Sequence, residues 1–184
     1  MSKIPTRVRL IRAATTLFQR YGYAATGTNE ILANAKAPRG SLYHHFPGGK
    51  ADLAYACVDL VTEDVVEEIR RLRLMGKKSA EVLKSLALGT AKWLEEKEWQ
   101  EGPLLPAFIH EFSASDELMM TKIRDSYSRI QTELVQMLMV EGAEKEDAAI
   151  RANNMLAILT GAEILSRALK SSIPLQNCTD IIGL

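Results

Sequence analysis

Residues 38–50 read PRGSLYHHFPGGK, and the fold turns on how that run is read. Pro38 presets a helical φ and lacks the N–H that a first helical turn leaves unpaired, so it favours a short helix through Phe46. Leu42 and Phe46 stand one helical turn apart and share the inward side of that helix. Arg39, Gly40, Tyr43 and His44 must then face away from it. Pro47-Gly48-Gly49 ends the helix before Lys50 opens the next.

The preceding segments complete a small bundle. From Pro5 to Tyr21, the side chains of Leu10, Ala14, Leu17, Phe18 and Tyr21 fall on one face and Arg9, Arg12, Thr16 and Arg20 on the other. Gly22 stops that helix. Thr26, Gly27 and Thr28 with Glu30 just beyond read as an N-terminal capping signal for a second short helix, whose Ile31, Leu32 and Ala35 point inward. Three short helices with a tight turn before the third form the arrangement in which the last helix can enter a major groove. On its outward face Arg39 offers charge and donors to guanine or phosphate, Gly40 lets the backbone approach the bases, and Tyr43 and His44 can donate to phosphate oxygens. Lys50 stands at a helix start, where free N–H groups and the helix dipole favour a phosphate.

The charge distribution agrees. Net charge is zero over 184 residues, yet residues 1–50 carry eight Lys or Arg against the single acid Glu30, a charge of +7. The remaining 134 residues carry 15 basic and 22 acidic side chains, or −7. A basic end on an acidic remainder suggests that one end meets a polyanion while the other does something else.

Beyond residue 50 the periods stay helical, with few alternating β-branched runs, so the chain reads as all-α. Helices are expected from Lys50 to Leu74, from Ala80 to Lys97 with Trp93 and Trp99 near its end, from Ala107 to Phe112, from Ser115 to Glu141, and from Lys145 to Ser171. Gly102-Pro103, Pro106 and Gly142 mark the breaks, and the tail after Pro174 receives no assignment. Ile123, Tyr127, Ile130, Leu134, Met137, Leu138 and Glu141 trace one stripe on a long helix, and Ala152 to Ala162 carries no charge on any face. Both helices suit a subunit interface; for the second, neighbouring helices of the same chain are the alternative cover. The expected division is a DNA-binding domain at 1–49 and a helical ligand-binding and dimerisation domain at 50–184.

Other chemistries find little support. Cys57 and Cys178 lie far apart, with no second thiol at metal-ligand spacing, which suits a reducing compartment. The first thirty residues lack the apolar core of a secretory signal, and Ala152 to Ala162 falls short of the roughly 18 apolar residues of a membrane span, so a soluble cytoplasmic protein without membrane contact is expected. His44 and His45 are adjacent on a helix and point about 100° apart, a poor start for a metal site. Gly49-Lys50 ends no phosphate loop, because His44 and Ala51 stand where that pattern needs Gly and Ser or Thr. His110-Glu111 lacks the second histidine of a helical zinc protease, and no Ser, His and Asp signature is visible. No catalytic residue, metal or cofactor is expected.

Gly22-Tyr23-Ala24-Ala25-Thr26, then Gly40-Ser41-Leu42-Tyr43-His44-His45-Phe46, then Lys50-Ala51-Asp52-Leu53 resemble the DNA-binding domain of the TetR family of transcriptional regulators, over residues 7 to about 55. The run GSLYHHFPGGK, with three residues between Phe46 and Lys50, is similar to the LmrA/YxaF-type subgroup. The resemblance implies Thr26 and Thr28 on phosphates, Asn29, Arg39 and Gly40 near bases, and Ser41, Tyr43, His44, His45 and Lys50 chiefly on the DNA backbone. It also implies a four-helix interface between two subunits and a pocket for a hydrophobic or planar aromatic inducer. Trp93, Phe108, His110, Phe112, Met119, Met120 and Tyr127 offer walls for such a pocket, although each also suits a core. The expected function is a homodimeric repressor released from a palindromic operator by that inducer, an activator on the same fold being the variant; a small-molecule binding protein that reads no operator is the alternative.

Two positions depart from the family's pattern. Lys36 stands where the turn often has Gly, and Pro38 where a Ser usually precedes the recognition helix. A non-glycine residue at positive φ costs about 1 kcal/mol, which favours a different turn at Lys36 and a slight tilt of the helix after it.

Overall fold

The computed structural model describes residues 4–112 and 116–181, and every regular element among them is a helix. In order they are α1 (Thr6–Ala25), α2 (Thr28–Asn34), α3 (Ser41–His45), α4 (Lys50–Leu74), α5 (Ser79–Glu96), α6 (Leu104–Phe112), α7 (Glu117–Val140), α8 (Lys145–Leu169) and α9 (Ile173–Ile181). They form two compact units, Met1–Val61 with Pro103–Arg124 and Thr62–Gly102 with Asp125–Leu184. The functional boundary expected at 49/50 falls at the start of α4, whereas the compact units divide that helix between Val61 and Thr62.

In the first unit the apolar stripe of α1 is covered by α2, α3 and α6. Leu10, Ala14 and Phe18 are fully buried, as are Ile31 on α2 and Leu42 on α3. Phe18, Tyr23, Phe108 and Phe112 form a ring cluster with centroid separations of 4.6 to 6.2 Å and tilted or edge-on planes, the arrangement that aromatic quadrupoles favour. Pro106 is tolerated inside α6 because it lies in the first turn, where an N–H has no intrahelical acceptor.

Three local expectations need correction. The helix expected from Pro38 begins at Ser41; Pro38–Gly40 form a turn closed by the Ser41 N–H on the Pro38 carbonyl at 2.9 Å. The capping signal at Thr26–Glu30 is not used as such, since α2 is preceded by Gly27 with no side-chain cap. The Thr26 hydroxyl instead turns back to the Gly22 carbonyl at 2.7 Å, closing the end of α1. Lys36 does adopt the left-handed conformation, with φ 48°. Its strain is offset by Arg9, whose Nη1 donates to the carbonyls of Ala35 at 2.6 Å and Lys36 at 2.8 Å. Those carbonyls end α2, so the guanidinium also serves as a cation at a helix C-terminus.

In the second unit, α5, α8 and α9 enclose Ala87, Ala91, Leu94, Ala162, Leu175 and Cys178, with Trp93, Trp99, Ile158 and Leu159 packed around them. As far as Ile181, the tail that received no assignment belongs to helix α9, seated through Leu175 and Cys178. The α7 stripe is also corrected: Ile130, Leu134, Met137 and Leu138 are all buried within the chain, and Glu141 accepts from the N–H and hydroxyl of Ser79. Arg70 and Arg73 both pair with the buried carboxylate of Glu133, and Glu63 pairs with Arg70 and Arg129, so α4 is tied to α7 by charge as well as packing. On α8, Ala152, Met155 and Ala162 face inward while Ile150, Ile164, Leu165 and Leu169 remain exposed.

Candidate nucleic-acid interface

The turn before α3 and the outer side of that helix carry the exposed polar residues expected from the sequence. Leu42 and Phe46 are buried at 0% and 3% exposure, which fixes the rotation of the helix and turns Tyr43 outward at 64%. Arg39, Gly40 and His44 are exposed beside it, with Ser41 and His45 half-buried. Asn29 is exposed and Thr28 half-buried on α2. The Arg7 guanidinium stacks on the Phe46 ring at 5.3 Å, so one arginine of α1 braces the end of α3 while Arg9 holds the end of α2.

The two glycines of this segment are there for different reasons. Gly49 has φ +67°, and a Cβ there would lie 3.1 Å from the Tyr43 ring, so backbone and packing both favour glycine. At Gly40 the φ is −72° and a Cβ would meet nothing within 4 Å, so nothing inside the fold requires glycine.

Lys50 and Thr26 are occupied within the protein. The Lys50 ammonium donates to the carbonyls of Tyr23 and Thr26, each at 2.9 Å, and stands 4.2 Å from the centroid of the Tyr23 ring. Thr26 is 1% exposed, with its hydroxyl on Gly22. At the start of α4, Asp52 accepts the Gly48 N–H at 2.6 Å, so a carboxylate stands beside the helix start that was expected to attract a phosphate. From the other side Glu111 accepts the N–H groups of Tyr23 and Ala24, each at 2.8 Å. The end of α1 and its junction with α2 are thus held by a cation on the carbonyls of Tyr23 and Thr26 and an anion on the N–H groups of Tyr23 and Ala24. Gly22, at φ 81°, makes room: a Cβ there would sit 2.6 Å from the Glu111 carboxylate. In the sequence Glu111 stood out only beside His110 as an incomplete zinc-protease pattern, and its separation from Tyr23 left no signal for this role.

The seven residues expected to line a ligand pocket are divided between the two units, Met120 standing half-buried in the first. Phe108, Phe112 and Met119 are buried in the first, where the two phenylalanines belong to the ring cluster, and His110 is exposed on α6. Trp93 and Tyr127 belong to the second unit and keep part of their surface. Burial raises the Tyr127 pKa, and the Glu163 carboxylate adds to that rise. Among the described residues, no cluster of three or more His, Cys, Asp or Glu could hold a metal ion, and no helix is long and apolar enough to cross a membrane.

Comparison with known proteins agrees with this geometry. Residues 10–57 match the family described as bacterial regulatory proteins, tetR family, and residues 79–181 match the C-terminal domain of LmrA/YxaF-like transcriptional regulators. The HTH-type transcriptional regulator LmrA of Bacillus subtilis is 29% identical, covering 99% of this chain and 97% of its own. The uncharacterized HTH-type regulator YxaF of the same organism is 28% identical, covering 95% and 91%. Among solved structures, a TetR transcriptional regulator from Legionella pneumophila shares the fold with a TM-score of 0.88 at 18% identity, over 100% of this chain and 98% of that one. With both halves matched and helices bracing an exposed basic turn and helix, the chain belongs to the TetR family of DNA-binding transcriptional regulators, with a C-terminal domain of the LmrA/YxaF-like type.

Proposed function

We propose that the protein is a cytoplasmic, ligand-responsive homodimeric repressor that seats its two α3 helices in successive major grooves of a near-palindromic operator, about 34 Å apart. The observation that carries this reading is Gly40: an exposed glycine that the fold does not need, between Arg39 and the outward face of α3, suits close approach of the DNA backbone or a base edge. Arg39 and Asn29 read bases, while Thr28, Ser41, Tyr43, His44 and His45 contact phosphates or their sugars. Lys50 and Thr26 act indirectly, by holding the α1–α2 junction from which α2 and α3 project.

One copy covers half such a site, so a second is needed. The exposed apolar residues of α8, Ile150, Ile164, Leu165 and Leu169, support pairing through that helix. The inducer binds better to the conformation whose recognition helices are wrongly spaced and so lowers operator affinity.

The test is selection of bound duplexes from random-sequence DNA, followed by affinity measurements on the enriched site against salt. Enrichment of a palindrome with steep salt dependence is expected. If binding is weak, unselective and abolished by salt, the chain is a small-molecule binding protein that has kept the scaffold without the readout.

A further inference from the structure

The end of α2 carries two cations, and the fold uses one of them. Arg9 of α1 donates to the carbonyls of Ala35 and Lys36, which gives that helix C-terminus its positive partner. Lys36 is the second. Its backbone needs are met: its N–H bonds to the Ala33 carbonyl at 3.1 Å, and the next N–H, of Ala37, bonds to the Leu32 carbonyl at 3.0 Å. In this closure the residue just past the helix takes the left-handed conformation, as Lys36 does at φ 48°. Glycine enters that conformation without strain, so a lysine there lowers stability unless its side chain contributes something. Yet the Lys36 side chain is exposed, and its ammonium has no hydrogen bond or ion pair among the described residues.

A helix-end role does not account for it. Lys170 at the end of α8 has the same conformation, at φ 49°, but there Arg167 of the last turn donates to the Gln100 carbonyl at 3.2 Å, which leaves Lys170 to complement the helix end. At α2 that place is taken, and the Arg9 guanidinium disfavours a second cation beside it.

Position supplies a reason. Lys36 precedes Arg39 by three residues, so their Cα atoms lie within about 11 Å of each other whatever the turn between them. A major groove is about 12 Å wide, with a phosphate strand along each edge. With Arg39 at the bases, an exposed cation at that separation is within reach of the groove's edge. The one acid of residues 1–50, Glu30, lies in the first turn of α2, at the other end of the helix from Lys36.

We propose that Lys36 is a phosphate contact of the DNA complex, positioned by Arg9 through the turn from which it projects. The proposal rests on the reading of α3 as the helix that enters the groove, and adds a contact from the turn before it.

It is tested on the full chain with the duplex selected from random-sequence DNA, titrated between about 50 and 200 mM salt. Lys36→Gly removes both charge and strain, Lys36→Gln removes the charge and keeps the strain, and Lys36→Arg keeps both. The first two should each lower the slope of log affinity against log salt by about 1.8, or 0.9 for each half-site, so that the wild type's advantage shrinks roughly twelvefold over that range. Lys36→Arg should keep the wild-type slope. The loss should be equal on duplexes altered at single base pairs, because a phosphate contact carries no sequence information. Wild-type slopes in the Gly and Gln variants, or an affinity loss that is the same at every salt concentration, overturn the proposal and leave operator recognition standing. If the wild type itself selects no duplex, the operator reading fails and takes the proposal with it.

Discussion

The ammonium of Lys50 donates to the Tyr23 carbonyl at 2.9 Å while standing 4.2 Å from the centroid of the same residue's ring. One side chain at the start of α4 therefore fixes both the backbone and the ring orientation at the end of α1. Its second bond, to the Thr26 carbonyl, fixes the entry to α2. Lys50→Met keeps most of the aliphatic stem and removes both bonds, and should cost about 1.5–3 kcal/mol in denaturant unfolding, the range for hydrogen bonds to a charged donor. DNA affinity should fall, but the slope of log affinity against log salt should not change. A direct phosphate contact would instead remove about 0.9 from that slope for each half-site, or about 1.8 for the dimer, and that result would return Lys50 to the interface.

Gly40 allows stability and binding to be separated. With φ −72° and open space around its Cβ position, Gly40→Ala should raise stability by about 0.4–1 kcal/mol through the unfolded chain's lost freedom. Operator affinity should drop at the same time, because the added methyl lies where the DNA approaches. A variant that is more stable and binds equally well would remove Gly40 from the proposed interface.

Arg9 and Lys36 should be coupled. Arg9→Met leaves the carbonyls of Ala35 and Lys36 without their donor and should cost about 1.5–3 kcal/mol. Lys36→Gly removes the strain at φ 48° but frees the unfolded chain, so alone it should change stability by less than about 1 kcal/mol. Together the two should be less damaging than their sum, because the turn that Arg9 braces then needs less bracing. Strict additivity in a double-mutant cycle would show that the clamp and the strained turn are independent.

Glu163 gives the stability a pH dependence. Its carboxyl titrates near 7 in the folded chain against an ordinary value of 4.5, so between those values the folded state holds a proton that the unfolded state has released. Its contribution is fully present below about pH 4.5 and is lost as pH rises through about 7, on the order of 3 kcal/mol in all. Other groups titrate over the same range, so the informative quantity is the difference from Glu163→Gln. That variant should gain on the wild type between about pH 5 and pH 7 and level off by about pH 8 in unfolding experiments. A constant difference would mean that the carboxyl is solvated.

What the sequence made legible follows from where each signal resides. The long helices announce themselves through amphipathic period, and α3 through Leu42 and Phe46, because local spacing sets which face is buried. The conformation of Lys36 depends on Arg9, more than twenty residues upstream, and the role of Lys50 depends on carbonyls of another helix; neither is a local property. α9 was missed because its two deeply buried anchors, Leu175 and Cys178, make too short a pattern to show a period. Phe108 and Phe112 expose a different limit: aromatic composition is the same for a cavity wall and a packed cluster, and only Phe18 and Tyr23 beside them distinguish the two.

The α8 face is open to the same kind of test. Ile164 and Leu165 are 46% and 54% exposed, whereas Ala162 and Ser166 on the same helix are buried. Apolar residues at consecutive exposed positions suit a partner surface and contribute little to the single chain. Leu165→Arg should therefore leave unfolding of the single chain within about 0.5 kcal/mol of wild type, as expected for an exposed site. It should convert a dimer to a monomer in sedimentation, because a charge in an apolar interface loses its hydration without gaining a partner. Operator affinity should fall by roughly 10²–10⁴, since two half-sites would no longer be engaged by one molecule. Leu118→Arg is the control: Leu118 is 72% exposed on α7, outside the α8 face, and its replacement should change neither sedimentation nor binding. A Leu165→Arg protein that remains dimeric and binds the operator normally would place the subunit interface elsewhere.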